Sequence, residues 1–426
     1  MVTGWLFISF VFLLLFSIPI AFSLGISSIA FFLFKQDVSL MVIAQRMVNG
    51  LDSFPLLAVP FFILVGELMN TSSVTSRIFS FANSIVGFIP GGLGHVNVLN
   101  SMIFAGMSGA AVADAAGIGR VEIKAMNEQG FDNEFSAAVT AASSTIGPII
   151  PPSIPMVIFG MVANVSIPAL FIGGILPGIL MGISMMVVVY IVSVRRHYPR
   201  SDRFSMRLVK TTFLKALPSL MTPVILIGGI LGGVFTPTEA AAVAVVYALF
   251  LGCLIYRDIP IAELGEIIFR TSISTAIILI IISTAAVIGL FVAREQVPQK
   301  LVVSLSSISK NPIIILLSIN IMLLFLGCFL DTTAIIVILT PILLPVIKMF
   351  GIDPVHFGVL MILNLMIGLL TPPFGLIMFV ICDICKISVF QFTKATLPFI
   401  IILLVTLFLV TYIPEIVLFL PRLLIK

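Results

Sequence analysis

The hydrophobic and polar positions of this 426-residue chain alternate in long blocks, and not with the short period of a half-buried strand. A series of apolar stretches runs from residue 4 to residue 420, separated by short polar segments. A helix needs about 20 apolar residues to cross the hydrocarbon core of a bilayer, and the longer blocks reach that length. Because only helices and closed barrels satisfy their backbone in lipid, and barrel strands are short and alternating, the pattern predicts an all-α polytopic membrane protein of about 10–12 spans.

The composition and the placement of charge support a membrane protein. Hydrophobic residues make up 60% of the chain and charged residues 9%, with a mean hydropathy of +1.28. A water-soluble protein of this length could not bury so much apolar surface. The apolar start lacks the basic segment and cleavage site of a signal peptide, so we expect a retained first helix. No recognised nucleic-acid-binding motif accompanies the basic residues near 195–215, so nucleic-acid binding is not expected.

An internal repeat with an offset of 221 residues is visible in the sequence. Residues 143–155 and 364–376 align without a gap, and the same register holds over neighbouring segments. The superposed pairs include Gly106 with Gly327, Gly147 with Gly368, Pro151 with Pro372 and Pro152 with Pro373. The sequence therefore predicts two repeats within a single integral membrane unit.

The predicted repeats cover residues from about 50 to 195 and from about 270 to 420. Between them, a basic linker at about 195–215 is predicted to be cytoplasmic, because Lys and Arg are enriched in cytoplasmic loops. The two crossings predicted after this linker return the chain to the cytoplasm, which permits an inverted arrangement of the repeats.

Glycine and proline interrupt corresponding apolar segments in the two repeats, a feature typical of transporter binding sites. Such breaks expose backbone carbonyl groups at membrane depth, where they are tolerated only if they line a cavity or bind an ion. Oxygen ligands of this kind suit an alkali cation. We therefore predict two Na⁺ sites, one per repeat. Their candidate ligands are Gly106, Ser144 and Gly147 in the first repeat, and Gly327, Gly368 and Thr371 in the second.

Polar side chains beside these breaks are candidates for binding the transported solute. Asp331 and Thr332 follow an apolar run of some twenty uncharged residues in the second repeat. Ionisable residues inside spans commonly face a cavity or a partner, although Asp331 is also placed to cap the helix that begins at Thr332. Ser108 and Ser153 supply hydroxyl groups in the first repeat, where the segment matching Asp331 offers no acid.

Several stretches together resemble the large membrane subunit of tripartite ATP-independent periplasmic (TRAP) transporters. The resemblance extends over essentially the whole chain. The stretches are residues 51–66, Gly106 to Ala110 with Asp114, Gly147 to Pro152, Phe235 to Ala240, and Gly368 to Gly375.

This resemblance implies a secondary transporter of the bacterial cytoplasmic (inner) membrane. It implies an elevator arrangement of a scaffold and a moving transport domain, two re-entrant hairpins, and coupling to Na⁺. It further implies a small four-helix membrane subunit, expected here as a separate polypeptide, and a periplasmic substrate-binding protein. The solute would be a small organic acid such as a C4-dicarboxylate, a keto acid or a sialic acid.

Two alternatives remain open from the residues. A stand-alone, ion-coupled anion transporter would need no delivery protein. A membrane-embedded enzyme would need convergent catalytic groups, yet the three histidines, His95, His197 and His356, are scattered and lack metal-ligand spacing. The chain has no nucleotide-binding GxxxxGK[ST] motif, so we do not expect it to hydrolyse nucleotide.

Overall fold

The computed structural model describes residues 2–16, 18–35, 39–200, 204–309 and 311–425. Every regular element within these ranges is a helix. The first eleven are α1 (Val2–Leu15), α2 (Ile20–Lys35), α3 (Leu40–Asn49), α4 (Ala58–Thr71), α5 (Val74–Val86), α6 (Gly92–Ser108), α7 (Ala111–Ala116), α8 (Ile118–Glu128), α9 (Asn133–Ser144), α10 (Ile154–Ala163) and α11 (Ile167–Arg196). The rest are α12 (Met206–Leu231), α13 (Pro237–Leu249), α14 (Ile261–Arg294), α15 (Val297–Ile308), α16 (Pro312–Gly327), α17 (Thr332–Met349), α18 (Pro354–Gly368), α19 (Leu376–Cys385), α20 (Val389–Tyr412) and α21 (Glu415–Leu424).

Seven helical segments of the described chain are long and apolar enough to cross a bilayer. They are α11, α12, α14, α17 and α20, together with α4 and its preceding 3₁₀ turn from Phe54, and α13 with the π-helical turn that extends it to Ile255. Five shorter apolar helices of 10–17 residues accompany them. The prediction of an all-α polytopic membrane protein is confirmed.

The two interrupted segments each form a pair of short helices around an irregular loop. In the first, α9 ends at Ser144 and α10 begins at Ile154; in the second, α18 ends at Gly368 and α19 begins at Leu376. The prolines of both loops, at 151–152 and 372–373, are joined by cis peptide bonds. None of these four helices reaches the length needed to span a bilayer alone.

Each interrupted segment contacts a helix–turn–helix unit of its own half. The first unit runs from α6 through the turn at 109–110 into α7 and α8, and the second runs from α16 through 328–331 into α17. One backbone hydrogen bond joins turn to loop in each half: Ile154 N–H donates to Gly109 O at 3.4 Å, and Phe374 N–H donates to Cys328 O at 3.1 Å.

The second helix of each interrupted segment packs against the other half of the chain. In the first half α10 packs on α17, and in the second half α19 packs on α7. The exchange is reciprocal, so both halves build one inner bundle. The first residues of α9 and α18, at 133 and 354, differ by 221, while the duplication and its inversion stay predictions.

The remaining helices form pairs outside this bundle, with α4 against α13, α5 against α12, and α2 against α14. Helix α14, with 34 residues, is about 51 Å long and packs on α2, α4 and α17. The start of α13 carries a capping box in which Thr236 and Glu239 exchange hydrogen bonds between side chain and backbone. Part of the predicted linker, residues 201–203, lies outside the described residues, and α12 already begins at Met206.

Candidate functional site

The predicted Na⁺ ligands of the second half lie together where α16 meets α18. A Cβ built on Gly368 would lie 2.6 Å from the carbonyl carbon of Gly327 and 2.8 Å from its oxygen. Two helix ends can approach this closely only because both residues lack a side chain. Thr371 completes the group, since its N–H donates to Gly368 O at 3.0 Å and its hydroxyl donates to Ile367 O at 2.8 Å.

Backbone carbonyl groups gather in the loop that follows. A Cβ built on Gly375 would lie 2.5 Å from the carbonyl oxygen of Leu369 and 3.0 Å from that of Thr371. The loop therefore folds back on itself, with carbonyl oxygens close to the end of α18. Such an arrangement presents hard oxygen donors, which suit an alkali cation.

Asp331 caps α17, as one of the two sequence interpretations predicts. Its side chain accepts hydrogen bonds from the N–H groups of Thr333 at 2.8 Å and Ala334 at 3.4 Å. The adjacent Thr332 is buried, and its hydroxyl has no hydrogen-bond partner among the described residues. A buried hydroxyl without a partner costs free energy, so Thr332 is a group available to a ligand.

The first half contains a carboxylate that the sequence comparison with Asp331 did not locate. Ser108, the last residue of α6, donates a short hydrogen bond to Asp114 Oδ1 across the turn into α7. The other carboxylate oxygen, Oδ2, lies 2.6 Å from the position of a Cβ built on Gly147. Asp114 is 5% exposed. Its two carboxylate oxygens, one against Ser108 and the other against Gly147, link the turn after α6 to the loop after α9.

The two other predicted ligands of the first half, Gly106 and Ser144, lie beside the loop that follows α9. Gly106 packs against Pro223 of α12, and a Cβ there would lie 3.9 Å from Pro151 O. Ser144 is buried at the end of α9 and donates to Ala141 O at 2.8 Å, which leaves its oxygen lone pairs free to accept.

Ser153 has a structural role in this conformation. Its hydroxyl donates to Pro148 O at 2.5 Å and accepts from the N–H of Met156 at 3.2 Å, so it closes the loop and caps α10. The sequence predicted Ser153 as a solute contact and did not anticipate this cap. Its role toward solute stays a prediction.

A set of buried amides beside both sites was not predicted from the sequence. In the first half, Asn97 donates to Thr140 at 2.7 Å and accepts from Ser143 at 2.7 Å, which fixes α6 to α9. In the second half, Asn364 donates to Asn320 at 3.1 Å, and Asn320 donates to Thr411 at 2.9 Å. The signal available in sequence was the occurrence of amides within otherwise apolar helices.

Comparison with known proteins identifies the family of this chain. Residues 7–416 match the family described as tripartite ATP-independent periplasmic transporter, DctM component. The chain belongs to this family. It is therefore a large permease subunit of the TRAP type, a multi-pass protein of the bacterial inner membrane, and the family implies a substrate-binding protein and a small membrane subunit as partners.

Two curated relatives match this permease over almost its full length. The sialic acid TRAP transporter large permease protein SiaM of Vibrio cholerae is 46% identical over 420 residues, covering 99% of this chain and 97% of SiaM. The sialic acid TRAP transporter permease protein SiaT of Haemophilus influenzae is 41% identical over 421 residues. That match covers 99% of this chain and 68% of SiaT, which is the longer protein.

A solved transporter has the same overall fold. The YdaH transporter of Alcanivorax borkumensis superposes with a TM-score of 0.62, covering 86% of each chain, at 14% sequence identity. At this identity the likeness concerns the fold of the permease and not its solute.

Proposed function

We propose that this permease is the solute-translocating subunit of a Na⁺-coupled importer of a small organic acid, with a sialic acid as the first candidate. The observation that carries the proposal is the pairing, in each half, of a glycine-containing helix end with an interrupted apolar segment. In the second half this pairing packs Gly327 against Gly368 beside a loop rich in carbonyl oxygens.

Na⁺ coupling is supported by the chemistry of these groups. The second-half site would use the carbonyl groups of Gly327 and Gly368 together with the hydroxyl oxygen of Thr371. The first-half site would use Gly106, Gly147 and the Ser144 oxygen, with the Asp114 carboxylate supplying nearby negative charge. A buried carboxylate without a basic partner is stabilised when a cation lies beside it.

Solute binding is supported by two side chains at the turn before α17 that the proposed Na⁺ site does not use. Thr332 offers an unpaired buried hydroxyl, and Asp331 holds the helix start in place. A hydroxyl can donate to a substrate carboxylate, whereas Asp331 suits a hydroxyl or amide of the solute. The names of the SiaM and SiaT relatives favour a sialic acid, which carries all three groups, over a C4-dicarboxylate or a keto acid.

The partners are proposed from the family of the permease. The family implies a small membrane subunit, and we propose that this subunit is a separate four-helix polypeptide. A periplasmic protein would deliver the solute. The inner bundle of α6 to α11 and α16 to α21 would move as the transport domain against a scaffold formed by the outer helices.

Uptake into proteoliposomes tests this function. The permease is reconstituted with its small subunit, and radiolabelled sialic acid is supplied with and without the binding protein. We expect uptake only with an inward Na⁺ gradient and the binding protein, and Thr371→Ala should raise the Na⁺ concentration that gives half-maximal uptake. Equal uptake driven by a proton gradient without Na⁺ would overturn the coupling, and robust uptake by the chain alone would favour a stand-alone transporter.

A further inference from the structure

A second buried carboxylate, Glu122, lies in the first half, and neither the proposed solute site nor the proposed cation sites use it. Glu122 is on α8 and is 2% exposed, while Arg120 and Lys124 of the same helix are exposed on another face. Its carboxylate accepts a hydrogen bond of 2.6 Å from the side-chain amide of Asn100 on α6. An ionised carboxylate buried with a single donor is costly, because several donors normally replace its lost hydration.

The surroundings of Glu122 offer no compensating positive charge. Helix α8 packs against α6, α7, α9 and α19, and none of these four helices contains Lys or Arg. Their titratable side chains are His95, Asp114, Glu134, Cys382, Asp383 and Cys385. Of these, Asp114 acts on Glu122 as a like charge. Two ionised carboxylates would therefore repel each other inside an apolar bundle.

The partner of Glu122 has an unused acceptor. Asn100 is fully buried, and its carbonyl oxygen Oδ1 has no hydrogen-bond partner in the described part of the chain. The Asn side chain places this acceptor and its donor nitrogen on the same planar group. A carboxylic acid is the one form of Glu122 that both accepts from the amide nitrogen and donates to the amide oxygen.

We propose that Glu122 and Asn100 form a proton-binding site. A proton from the aqueous phase forms an O–H bond with the free oxygen of Glu122, and this hydroxyl donates to Asn100 Oδ1. The charge of the site changes from minus one to zero, and both buried polar groups are then satisfied. The proton thus takes the place of the missing basic side chain.

The site is linked to the cation site through Asp114, and this linkage rests on the proposed function. A Na⁺ ion beside Asp114 offsets the like charge that favours protonated Glu122. Na⁺ binding should therefore promote release of the proton, and protonation should weaken Na⁺ binding by the same factor. The permease would then bind Na⁺ more tightly as the pH rises.

Infrared spectroscopy tests the proton site without reference to transport. Difference spectra of the purified full-length permease, recorded without Na⁺ between mildly acidic and mildly alkaline pH, should show the carbonyl stretch of a protonated carboxyl group. Glu122→Gln should abolish this band, and Asn100→Leu should shift it because the acid loses its partner. The matched control Glu128→Gln, at an exposed site on the same helix, should retain it. A band that persists in Glu122→Gln, or no such band in the wild type, overturns the proposal.

Proton release on Na⁺ addition tests the linkage. In weakly buffered solution, wild type and Glu128→Gln should release protons on binding Na⁺, up to one per chain, and Glu122→Gln should release none. Na⁺ binding without proton release overturns the linkage and leaves the proposed Na⁺ coupling intact. Absence of Na⁺ binding in the wild type instead contradicts the proposed coupling, while the infrared band still decides the proton site.

Discussion

The hydroxyl group of Ser108 donates its hydrogen bond to the carboxylate of Asp114, across the turn that separates α6 from α7. This contact fixes an acid beside Gly147, and helices α6, α7 and α9 contain no Lys or Arg. The acid and the loop carbonyls consequently form one polar group in the first half.

Replacing this acid should weaken Na⁺ binding. For Asp114→Asn we expect the Na⁺ concentration at half-maximal uptake to rise about tenfold, which corresponds to a loss of about 1.4 kcal/mol from one removed charge. Uptake measured against Na⁺ concentration in proteoliposomes checks this. Glu128→Gln, which removes an exposed charge of α8, is the control and should behave as wild type. An unchanged Na⁺ dependence in Asp114→Asn would remove the acid from the cation site.

A methyl group at the contact of Gly327 with Gly368 should separate α16 from α18. Gly368→Ala places its Cβ 2.6 Å from the Gly327 carbonyl carbon, so overpacking should lower the free energy of unfolding by about 1–3 kcal/mol. Thermal unfolding in detergent measures the change. The matched control is Gly265→Ala on α14, where a Cβ meets no neighbouring atom and alanine favours the helix. Equal stability of the two variants would contradict the close contact.

Removal of the Thr332 hydroxyl should affect solute binding and leave stability intact. Thr332→Val keeps the shape of the side chain and deletes a buried hydroxyl that has no partner, so the unfolding temperature should stay equal or rise. The solute concentration at half-maximal uptake should increase about tenfold, since a hydrogen bond to a charged group contributes about 1.5–3 kcal/mol. Thr340→Val, buried further along α17, should leave solute affinity unchanged. The assignment is wrong if both variants transport alike.

The cap formed by Asp331 can be separated from its role toward solute. Asparagine is as good an N-cap as aspartate, so Asp331→Asn should preserve stability, whereas Asp331→Ala should cost about 1 kcal/mol. If the carboxylate binds solute, both variants should weaken solute uptake to a similar degree. Parallel measurements of unfolding and uptake distinguish the two roles, and undiminished uptake by Asp331→Asn would leave Asp331 as a cap alone.

A tyrosine beyond the end of α11 should make stability depend on alkaline pH. The Tyr198 hydroxyl donates to Asp132 Oδ2 at 2.5 Å, and Arg196 pairs with the same oxygen at 2.7 Å. Burial, and next this hydrogen bond, raises the pKa of Tyr198 to about 12 from an ordinary value of about 10. The neutral phenol is therefore favoured in the folded state.

Its contribution to stability should be complete below about pH 10 and be lost as the pH rises to about 12. Tyr198→Phe should show a smaller loss of stability over this interval, measured as unfolding temperature against pH. Tyr190→Phe, at an exposed position on α11, should lose stability as the wild type does. Identical pH profiles for the wild type and Tyr198→Phe would contradict this assignment.

The sequence predicted the features that depend on local chemistry. Apolar block lengths identified the helical membrane class, and the glycines and prolines near 147–152 and 368–373 marked where the helices are interrupted. The cap at Asp331 was equally accessible, because capping depends on neighbouring residues.

The missed features depend on contacts between distant elements. Asp114 lies too far along the sequence to match Asp331 in the repeat, and the turn after Ser108 brings it back to the site. Ser153 carries a hydroxyl group that could contact a ligand, yet in the folded loop this hydroxyl donates a hydrogen bond to the carbonyl oxygen of Pro148. The pairing of Glu122 with Asn100 joins two helices, and no spacing rule along one helix reports it.

The reciprocal packing of α10 on α17 and of α19 on α7 constrains the biosynthesis of the permease. During synthesis α7, which carries Asp114, emerges early, and most of the chain must follow before α19 exists to cover it. The part of α7 that packs on α19 therefore stays uncovered in the bilayer until α19 has been made. A chain that stops before α19 leaves this side of α7 unpacked, so the first half completes its packing only after most of the second half has been made.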